Sequence, residues 1–529
     1  MHDVQNDASH SQGIAPTLAL MVLAAVFLLP GLGERDFWTR SQGRPPLVAR
    51  DILETGRLRP PFLLGAPYLN KPPLFHGLVA LSFRLTGSED EYAARLPALL
   101  AALLTIALTQ RLGFLAGGRR AGFLGGLLLL LSLRFFTLAR ASQLETMLAA
   151  MTALMFVGLL EHQRRRGVVP LLLAGLGAAG ATMTKGPVLA LLFPAVFLTA
   201  FAVHRRSLRV FLSRAAGVIP PAALAVTAAW YLPLLLDDQM RERLLERAAF
   251  GNVAHERPFF YYLPQVLAGL SPGLLLLPMV RIDQRRLGPA RPFLLAFLIG
   301  LVVFSLSKSK QSHYILPLYP LWAVAGGLLL AHPQGILRSR YAFGLCLALA
   351  ALLLIALPLG PRLHPPLGTL EGWPFFCGGA AFLFLAAALL VRHVGRRRTS
   401  GPPRMLDLVA PAVALLALLL GAVLIGDRLR NPRASPRQAM EAMRTLSAGR
   451  PLISLERHPA AIFYLRRRVQ GFPETPALAR SVLDRRPETL LLLDLGEGDA
   501  MPPELADLVP RARCRNPDSR RGWVLLERP

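Results

Sequence analysis

The sequence predicts a polytopic α-helical membrane protein of about thirteen transmembrane helices, followed by a small α/β domain. Of the 529 residues, 53% are hydrophobic and only 17% are charged, a balance typical of membrane-embedded chains. Apolar runs such as "LDLVAPAVALLALLLGAVLIG" reach the roughly 20 residues that a helix needs to cross a bilayer. After Asp427 this pattern gives way to short strands and helices.

The predicted spans follow the apolar runs along the chain. The first run follows an amino terminus that lacks the basic region of a cleaved signal peptide, so we predict an uncleaved first span. The predicted limits are 14–32, 93–112, 119–134, 140–160, 168–183, 186–204, 214–236, 260–280, 290–307, 312–331, 340–358, 374–392 and 406–425.

The net charge of +27 is explained by topology rather than by nucleic-acid binding. Arginines concentrate in connections such as "EHQRRRG" and "RHVGRRRTSGPPR", which become cytoplasmic if the amino terminus is cytoplasmic. An odd number of spans then places the carboxy-terminal domain outside, on the same side as the long loop 33–92. We predict a transmembrane domain at 1–427 and an extracytoplasmic α/β domain at 428–529.

The carboxy-terminal segment reads as alternating strands and helices. "GRPLISLERHPAAIFYLRRR" predicts a strand leading into a helix, and "PETLLLLDL" and "RGWVLLERP" predict further strands. No nucleotide-binding fingerprint opens any of these helices, and the three cysteines show no metal or disulfide spacing. We therefore interpret this segment as a lid or docking domain without chemistry of its own.

Lysine is rare and is confined to one predicted face. Of 59 basic residues only four are lysines, and all four fall on the outer side: Lys71, Lys185, Lys308 and Lys310. Because the topology rule depletes cations from that face, these residues have a stronger claim to function than the cytoplasmic arginines.

Three short motifs, taken together, carry a family resemblance. "YLNKPPL", "TKGP" and "HYILPLYP", in one order with "AARLPALLAALLT" and "RPFFYYLP", resemble the lipid A aminoarabinose transferase and protein O-mannosyltransferase relatives among the GT-C glycosyltransferases. The resemblance implies that one sugar, a hexose or a pentose, moves with inversion from a polyprenyl-phosphate donor. The acceptor would be a lipid, a glycan or a protein outside a bacterial cytoplasmic membrane.

The reaction suggests roles for particular residues. Lys71 is the first candidate to stabilise the phosphate leaving group, although it could instead anchor headgroups. Glu145 stands where relatives carry aspartate and could orient Lys71, or could form a structural salt bridge with Arg140. The remaining candidates for holding phosphate or sugar are Arg44, Arg140, Lys185, Arg257, Lys308, Lys310, His313 and Tyr314.

The chain departs from its relatives at three positions. Ser41 and Gln42 replace an acidic pair, and neither can accept a proton near neutral pH. Asn70 replaces a glutamate that binds metal in some relatives, so we predict no cofactor, with a divalent metal as the disfavoured alternative. Asp36 is the predicted substitute base; pairing with Arg35 or Arg40 is its structural alternative.

Two other functions remain possible from the sequence. A lipid-linked sugar transporter or flippase should show an inverted repeat and midplane polar residues, and neither is evident. A non-catalytic polyprenyl-phosphate-binding relative is kept open by the departures at Ser41, Gln42 and Asn70.

Overall fold

The computed structural model describes residues 2–165, 167–205, 217–249, 256–279, 284–331, 339–363, 372–396, 405–496, 499–515 and 521–529. Several of the basic connections on which the predicted topology rests, among them 206–216, 332–338 and 397–404, lie outside these ranges. By contacts, the chain divides into two compact units. The first comprises Met1–Pro30 and Ala98–Val423, and the second comprises Gly31–Pro97 and Leu424–Pro529.

The structure is predominantly helical. The helices are α1 (His2–Leu28), α2 (Arg40–Thr55), α3 (Leu74–Thr86), α4 (Glu91–Leu130), α5 (Leu133–Ala139), α6 (Glu145–Arg165), α7 (Val168–Lys185), α8 (Pro187–Arg205), α9 (Ile219–Leu235), α10 (Asp238–Ala249), α11 (Tyr262–Leu270), α12 (Gln284–Leu306), α13 (Tyr319–Ala331), α14 (Ser339–Leu363), α15 (Gly372–Arg396), α16 (Met405–Ala434), α17 (Arg437–Leu446), α18 (Pro459–Leu465) and α19 (Pro476–Arg485). The strands are β1 (Phe62–Leu63), β2 (Ala66–Pro67), β3 (Leu452–Ser454), β4 (Leu490–Gly496), β5 (Val509–Arg515) and β6 (Arg521–Glu527).

Six helices within the described ranges are long and apolar enough to cross a membrane, or seven if one bent pair counts as a single span. They are Glu91–Leu130, Val168–Lys185, Pro187–His204, Leu287–Leu306, Trp373–His393 and Leu408–Asn431, and the bent pair is Ile219–Leu235 with Asp238–Leu245. The chain is therefore a polytopic helical membrane protein. Several predicted spans correspond to shorter apolar helices, such as Ala15–Leu28 and Phe343–Leu359.

Two predicted spans, 93–112 and 119–134, correspond largely to the two arms of α4. The helical backbone is interrupted at Gly117 and Gly118, where Gly118 has a φ of 85°. A left-handed conformation of this kind suits glycine, which has no Cβ to clash. The two arms fold back on each other, since a Cβ added at Gly122 would lie 2.4 Å from the Gln110 carbonyl oxygen. The hydropathy dip between the two predicted spans is therefore a tight turn between two helices.

In the first unit, α6 and α7 form an antiparallel pair because residues 166–167 leave only a short connection. Glycines permit close approach of the two backbones: a Cβ added at Gly158 would lie 2.5 Å from the Pro170 carbonyl oxygen, and one added at Gly177 would lie 2.6 Å from the Met151 carbonyl oxygen. Small residues of this kind bring membrane helices together. The pairing places the start of α6 beside the end of α7.

The second unit contains a four-stranded sheet with the order β3-β4-β6-β5. β3 pairs in parallel with β4, whereas β6 pairs antiparallel with both β4 and β5. Alternate residues of β4, Leu491 and Leu493, pack with Ala479 and Leu483 of α19 in a common core, as the two-residue period of a strand requires. β3, α18, β4 and β6 occupy the segments that the sequence indicated, and β5 is an additional strand.

The contact-based division differs from the predicted boundary at residue 427. Residues 31–97, predicted as a loop of the membrane domain, group with the carboxy-terminal segment. The reason is the close packing of α2 against α18, where a Cβ added at Gly43 would lie 2.4 Å from the Ala460 nitrogen. A loop with such contacts is an integral part of that unit's core.

Candidate functional site

Four of the predicted site residues lie together in the first unit. The Lys185 Nζ lies 3.1 Å from Glu145 Oε1, and His313 Nε2 lies 3.4 Å from the same oxygen. The Lys185 ammonium also sits 4.3 Å from the centre of the Tyr314 ring, within the range of a cation–π contact. This buried carboxylate therefore joins two cationic or titratable groups that the sequence had treated separately.

Local structure explains this cluster. Glu145 is the first residue of α6 and Lys185 the last of α7, so each charge is favourably placed with respect to its own helix dipole. Their side chains are only 7% and 8% exposed. Buried charges need such partners, because an unpaired charge in the protein interior has a much higher free energy than the same charge in water.

Arg140 occupies a separate environment in the same unit. Its Nη1 donates to the carbonyl of Leu28 at 2.6 Å, and its guanidinium lies 5.9 Å from the Phe136 ring centre. Leu28 is the last residue of α1, whose terminal carbonyls lack partners within the helix. Arg140 thus has a structural use as a cap, and its predicted contact with substrate remains a prediction.

A third group of predicted residues lines an open hollow of about 630 Å³. Its cations are Arg257, Lys308 and Lys310, against one carboxylate, Glu256, and apolar walls come from residues such as Phe259 and Leu306. Lys310 Nζ donates to the Arg257 carbonyl at 2.9 Å, which fixes the two segments together. A hollow that combines fixed positive charge with apolar surface suits an amphiphilic anion.

In the second unit, Lys71 and Arg44 both lie close to His76. Burial lowers the pKa of His76 to about 4, against the opposing effect of the nearby Pro72 carbonyl, and both cations add to the decrease. His76 itself is buried and packs edge-on against Tyr68, with ring centres 5.4 Å apart. The structure therefore brings these two predicted phosphate ligands into one electropositive region around a neutral imidazole.

Three polar atoms in this region are buried and have no hydrogen-bond partner among the described residues, namely Arg44 Nε, Asn70 Oδ1 and His76 Nδ1. Buried polar atoms normally have hydrogen-bond partners, so atoms without one call for an explanation.

Within the same described ranges, no group of three His, Cys, Asp or Glu side chains is placed to hold a metal ion.

Asp36, the predicted base, is held by residues that the sequence did not suggest. Arg437 Nη1 lies 2.8 Å from Asp36 Oδ1 and 3.3 Å from Glu91 Oε1. The Tyr464 hydroxyl donates to Glu91 at 2.7 Å and accepts from the Phe37 backbone N–H at 2.7 Å. We call this set of residues, Asp36, Glu91, Arg437 and Tyr464, the Arg437 network.

The Arg437 network has perturbed protonation equilibria. Burial, reinforced by the Glu91 and Asp36 carboxylates, raises the pKa of Tyr464. Burial lowers the pKa of Arg437, but the same two carboxylates more than offset this and raise it overall. The guanidinium therefore stays charged and remains paired with Asp36. An ion pair is the structural alternative that the sequence offered for Asp36, but its partner is Arg437 rather than Arg35 or Arg40. Ser41, by contrast, has its Oγ 2.9 Å from Thr39 Oγ1 at the start of α2.

Known proteins resemble the chain in sequence and in fold. The family model described as "Dolichyl-phosphate-mannose-protein mannosyltransferase" matches residues 48–233. An undecaprenyl phosphate-alpha-4-amino-4-deoxy-L-arabinose arabinosyl transferase of Pectobacterium carotovorum subsp. carotovorum is 30% identical, over 77% of this chain and 75% of the relative. The corresponding transferase of Sodalis glossinidius is also 30% identical over the same shares.

Solved structures agree on the fold. The crystal structure of ArnT from Cupriavidus metallidurans in the apo state has a TM-score of 0.70, with 20% identity and 98% coverage of both chains. The structure of the same protein bound to undecaprenyl phosphate has a TM-score of 0.71 and covers 96% of this chain and 97% of that one.

The helical membrane scaffold, the lysine motif "YLNKPPL" and these relatives define an integral membrane glycosyltransferase of the GT-C class, which uses a polyprenyl-phosphate sugar. Within that class, the chain belongs to the undecaprenyl phosphate-aminoarabinose arabinosyl transferase family.

Proposed function

We propose that the protein transfers 4-amino-4-deoxy-L-arabinose, or a closely similar sugar, from undecaprenyl phosphate to a lipid acceptor at the outer face of the bacterial cytoplasmic membrane. The family relatives carry this donor in their names. The proposal includes thirteen spans, with residues 33–92 and the carboxy-terminal domain outside. Glycan and protein acceptors are the alternatives.

The observation that carries this proposal is the hollow lined by Arg257, Lys308 and Lys310 beside apolar walls. A polyprenyl phosphate has one compact anionic group attached to a long hydrocarbon chain. Arginine's planar fork and the two ammonium groups would hold the phosphate oxygens, while the apolar walls would receive the first prenyl units.

The chemistry follows from where charge develops. The bond between the anomeric carbon and the donor phosphate oxygen breaks, and a new bond forms to an acceptor oxygen with inversion. Negative charge grows on the departing polyprenyl phosphate, and a fixed cation lowers the barrier by stabilising it. We assign this contact to Lys71, with Arg44 beside it and Glu145, Lys185, His313 and Tyr314 as a second set that positions donor groups.

The need for a base depends on the acceptor. A hydroxyl acceptor must lose a proton, and Asp36 is then the proposed base. A phosphate acceptor is already ionised at neutral pH, since its second pKa is near 6, and needs no proton acceptor. The neutral Ser41 and Gln42, together with the ion-paired Asp36, favour the phosphate acceptor. No step of either route calls for a cofactor.

Mass spectrometry of envelope lipids tests the proposal. Cells that contain the intact protein, lack it, or carry Lys71→Ala are compared for lipid-borne pentosamine and for its undecaprenyl-linked donor. We expect the adduct to disappear and the donor to accumulate in the latter two. If neither changes while the protein is expressed, the transfer proposal fails and a transporter or a non-catalytic lipid-binding protein replaces it.

A further inference from the structure

The second unit contains a cavity of about 340 Å³ that is dominated by arginine. We call it the arginine pocket. Its charged lining residues come from α2, from the turn before α4 and from the end of α18: Arg50, Glu54, Glu89, Arg466, Arg467 and Arg468. Four cations against two carboxylates leave the lining net positive. None of these residues belongs to the clusters described above.

The end of α18 creates the pocket. Arg466 is its carboxy-terminal cap and adopts a left-handed conformation, with a φ of 46°. This conformation is uncommon for a residue with a side chain, and such residues concentrate at functional sites. The turn presents three consecutive arginines at the place where the helix stops.

Two of the arginines form a fixed frame. Arg467 donates to the carbonyls of Ser447 and Arg450, and burial lowers its pKa. Arg50 Nε donates to Glu89 at 2.6 Å, and its guanidinium lies 4.8 Å from the Phe463 ring centre. A guanidinium held in this way loses little freedom when it binds a ligand.

The other two arginines are available for binding. Arg466 and Arg468 are exposed, and within the described ranges neither side chain has a hydrogen bond or an ion pair. Each guanidinium therefore presents all of its donors to solvent. Paired planar forks of this kind match the geometry of phosphate oxygens.

We propose that the arginine pocket binds a phosphate group, and that this phosphate belongs to the polar headgroup of the lipid acceptor. The second half of this inference rests on the proposed function. It agrees with the chemistry above, because Ser41 and Gln42 supply no carboxylate base and an acceptor phosphate needs none. The pocket would hold one phosphate of the acceptor while another oxygen is glycosylated.

Phosphate binding is measured on the full chain in phosphatidylcholine nanodiscs. The thermal unfolding midpoint is titrated with inorganic phosphate, and separately with glucose 1-phosphate, at constant ionic strength against chloride. We expect a saturable rise for the intact protein. Arg466→Gln with Arg468→Gln should weaken the apparent affinity about tenfold, because two charge-assisted contacts are lost.

A matched double variant controls for net charge. Arg485→Gln with Arg486→Gln removes two consecutive exposed arginines of the same unit, outside the pocket, and should leave the titration unchanged. Repeating the titration in nanodiscs with one-fifth phosphatidic acid identifies the source. If phosphatidic acid competes with inorganic phosphate, the pocket binds a membrane-borne phosphate. If phosphatidic acid does not compete, the ligand enters from the aqueous side.

Equal titrations for the intact protein and the Arg466/Arg468 variant would overturn the proposal. Because this readout does not involve sugar transfer, it is independent of the envelope-lipid test. A protein that transfers sugar but shows no pocket-dependent binding refutes only the arginine pocket. A protein that binds phosphate there but transfers nothing refutes the proposed function and the assignment of the phosphate to its acceptor, but not the phosphate site itself.

Discussion

At the scale of single residues, the charges that the sequence singled out have partners that sequence spacing could not reveal. Glu145 was expected to meet Lys71 or Arg140, and the structure pairs it with Lys185 because α6 and α7 fold back on each other. Asp36 was expected beside Arg35 or Arg40, and its partner Arg437 lies 401 positions away. The rarity of lysine drew attention to Lys185 without indicating its partner, Glu145.

The Glu145–Lys185 pair should be strongly coupled. Removing either charge leaves the other buried with only a weaker contact, His313 for Glu145 and the Tyr314 ring for Lys185, which costs up to about 3–5 kcal/mol. In a double-mutant cycle of Glu145→Gln and Lys185→Gln, we expect the unfolding free energies to show coupling above about 1 kcal/mol. The more exposed pair Arg111–Glu161, at 2.8 Å, is the control and should couple more weakly. Equal coupling in both pairs would contradict this assignment.

His76 should make stability depend on pH. Its folded-state pKa of about 4 lies below the ordinary 6.5, so between these values the unfolded chain binds more protons. Stability is therefore complete above about pH 6.5 and falls as pH decreases toward 4, by up to about 3 kcal/mol. Thermal unfolding of the intact protein and of His76→Phe, followed across this range, should differ in slope. Parallel slopes would show that His76 is not buried and neutral.

Asp36 offers a test of the acceptor's chemistry. If the acceptor is a phosphate, Asp36→Asn should lower stability by breaking the contact with Arg437 but retain turnover per folded molecule. Arg437→Gln, which disrupts the same network from the other side, is the matched control and should behave alike. A loss of turnover of about a hundredfold or more in Asp36→Asn alone, with folding intact, would instead identify Asp36 as the base of a hydroxyl acceptor.

At the scale of elements, hydropathy predicted the helices well where they are long and uniformly apolar, as in α7, α8 and α15. It also separated the two arms of α4, which fold back on each other at Gly117 and Gly118. It did not predict that α2 belongs with α18, because their contact depends on a glycine fitting against a backbone more than 400 residues away in the chain.

Gly43 tests that packing. Any Cβ at this position would meet the backbone of Ala460 at 2.4 Å, so Gly43→Ala should destabilise the protein by about 1–3 kcal/mol through overpacking. Gly77 in α3 is the control, since a Cβ there would meet only Leu58 Cδ1, at 3.6 Å. Gly77→Ala should be neutral or slightly stabilising. If both variants have the same thermal midpoint, α2 does not pack against α18 as described.

At the scale of the whole molecule, composition and motif order were sufficient to predict the class of protein and its reaction, and the relatives confirm both. The sequence placed the domain boundary at residue 427, whereas contacts group residues 31–97 with the carboxy-terminal segment. Local patterns carry no information about such long-range packing. For the same reason, neither the Arg437 network nor the arginine pocket could be predicted from them.

The central claim is that the protein breaks the bond between a sugar and polyprenyl phosphate, with Lys71 stabilising the leaving group. The most direct test is to reconstitute the purified protein in vesicles with isotope-labelled undecaprenyl-phosphate aminoarabinose and extracted envelope lipids. Released undecaprenyl phosphate and lipid-borne sugar are then quantified together. We expect equal amounts of both products, and a rate about a hundredfold or more lower for Lys71→Ala. Absence of both products, or full activity of the Lys71→Ala variant, would contradict the account.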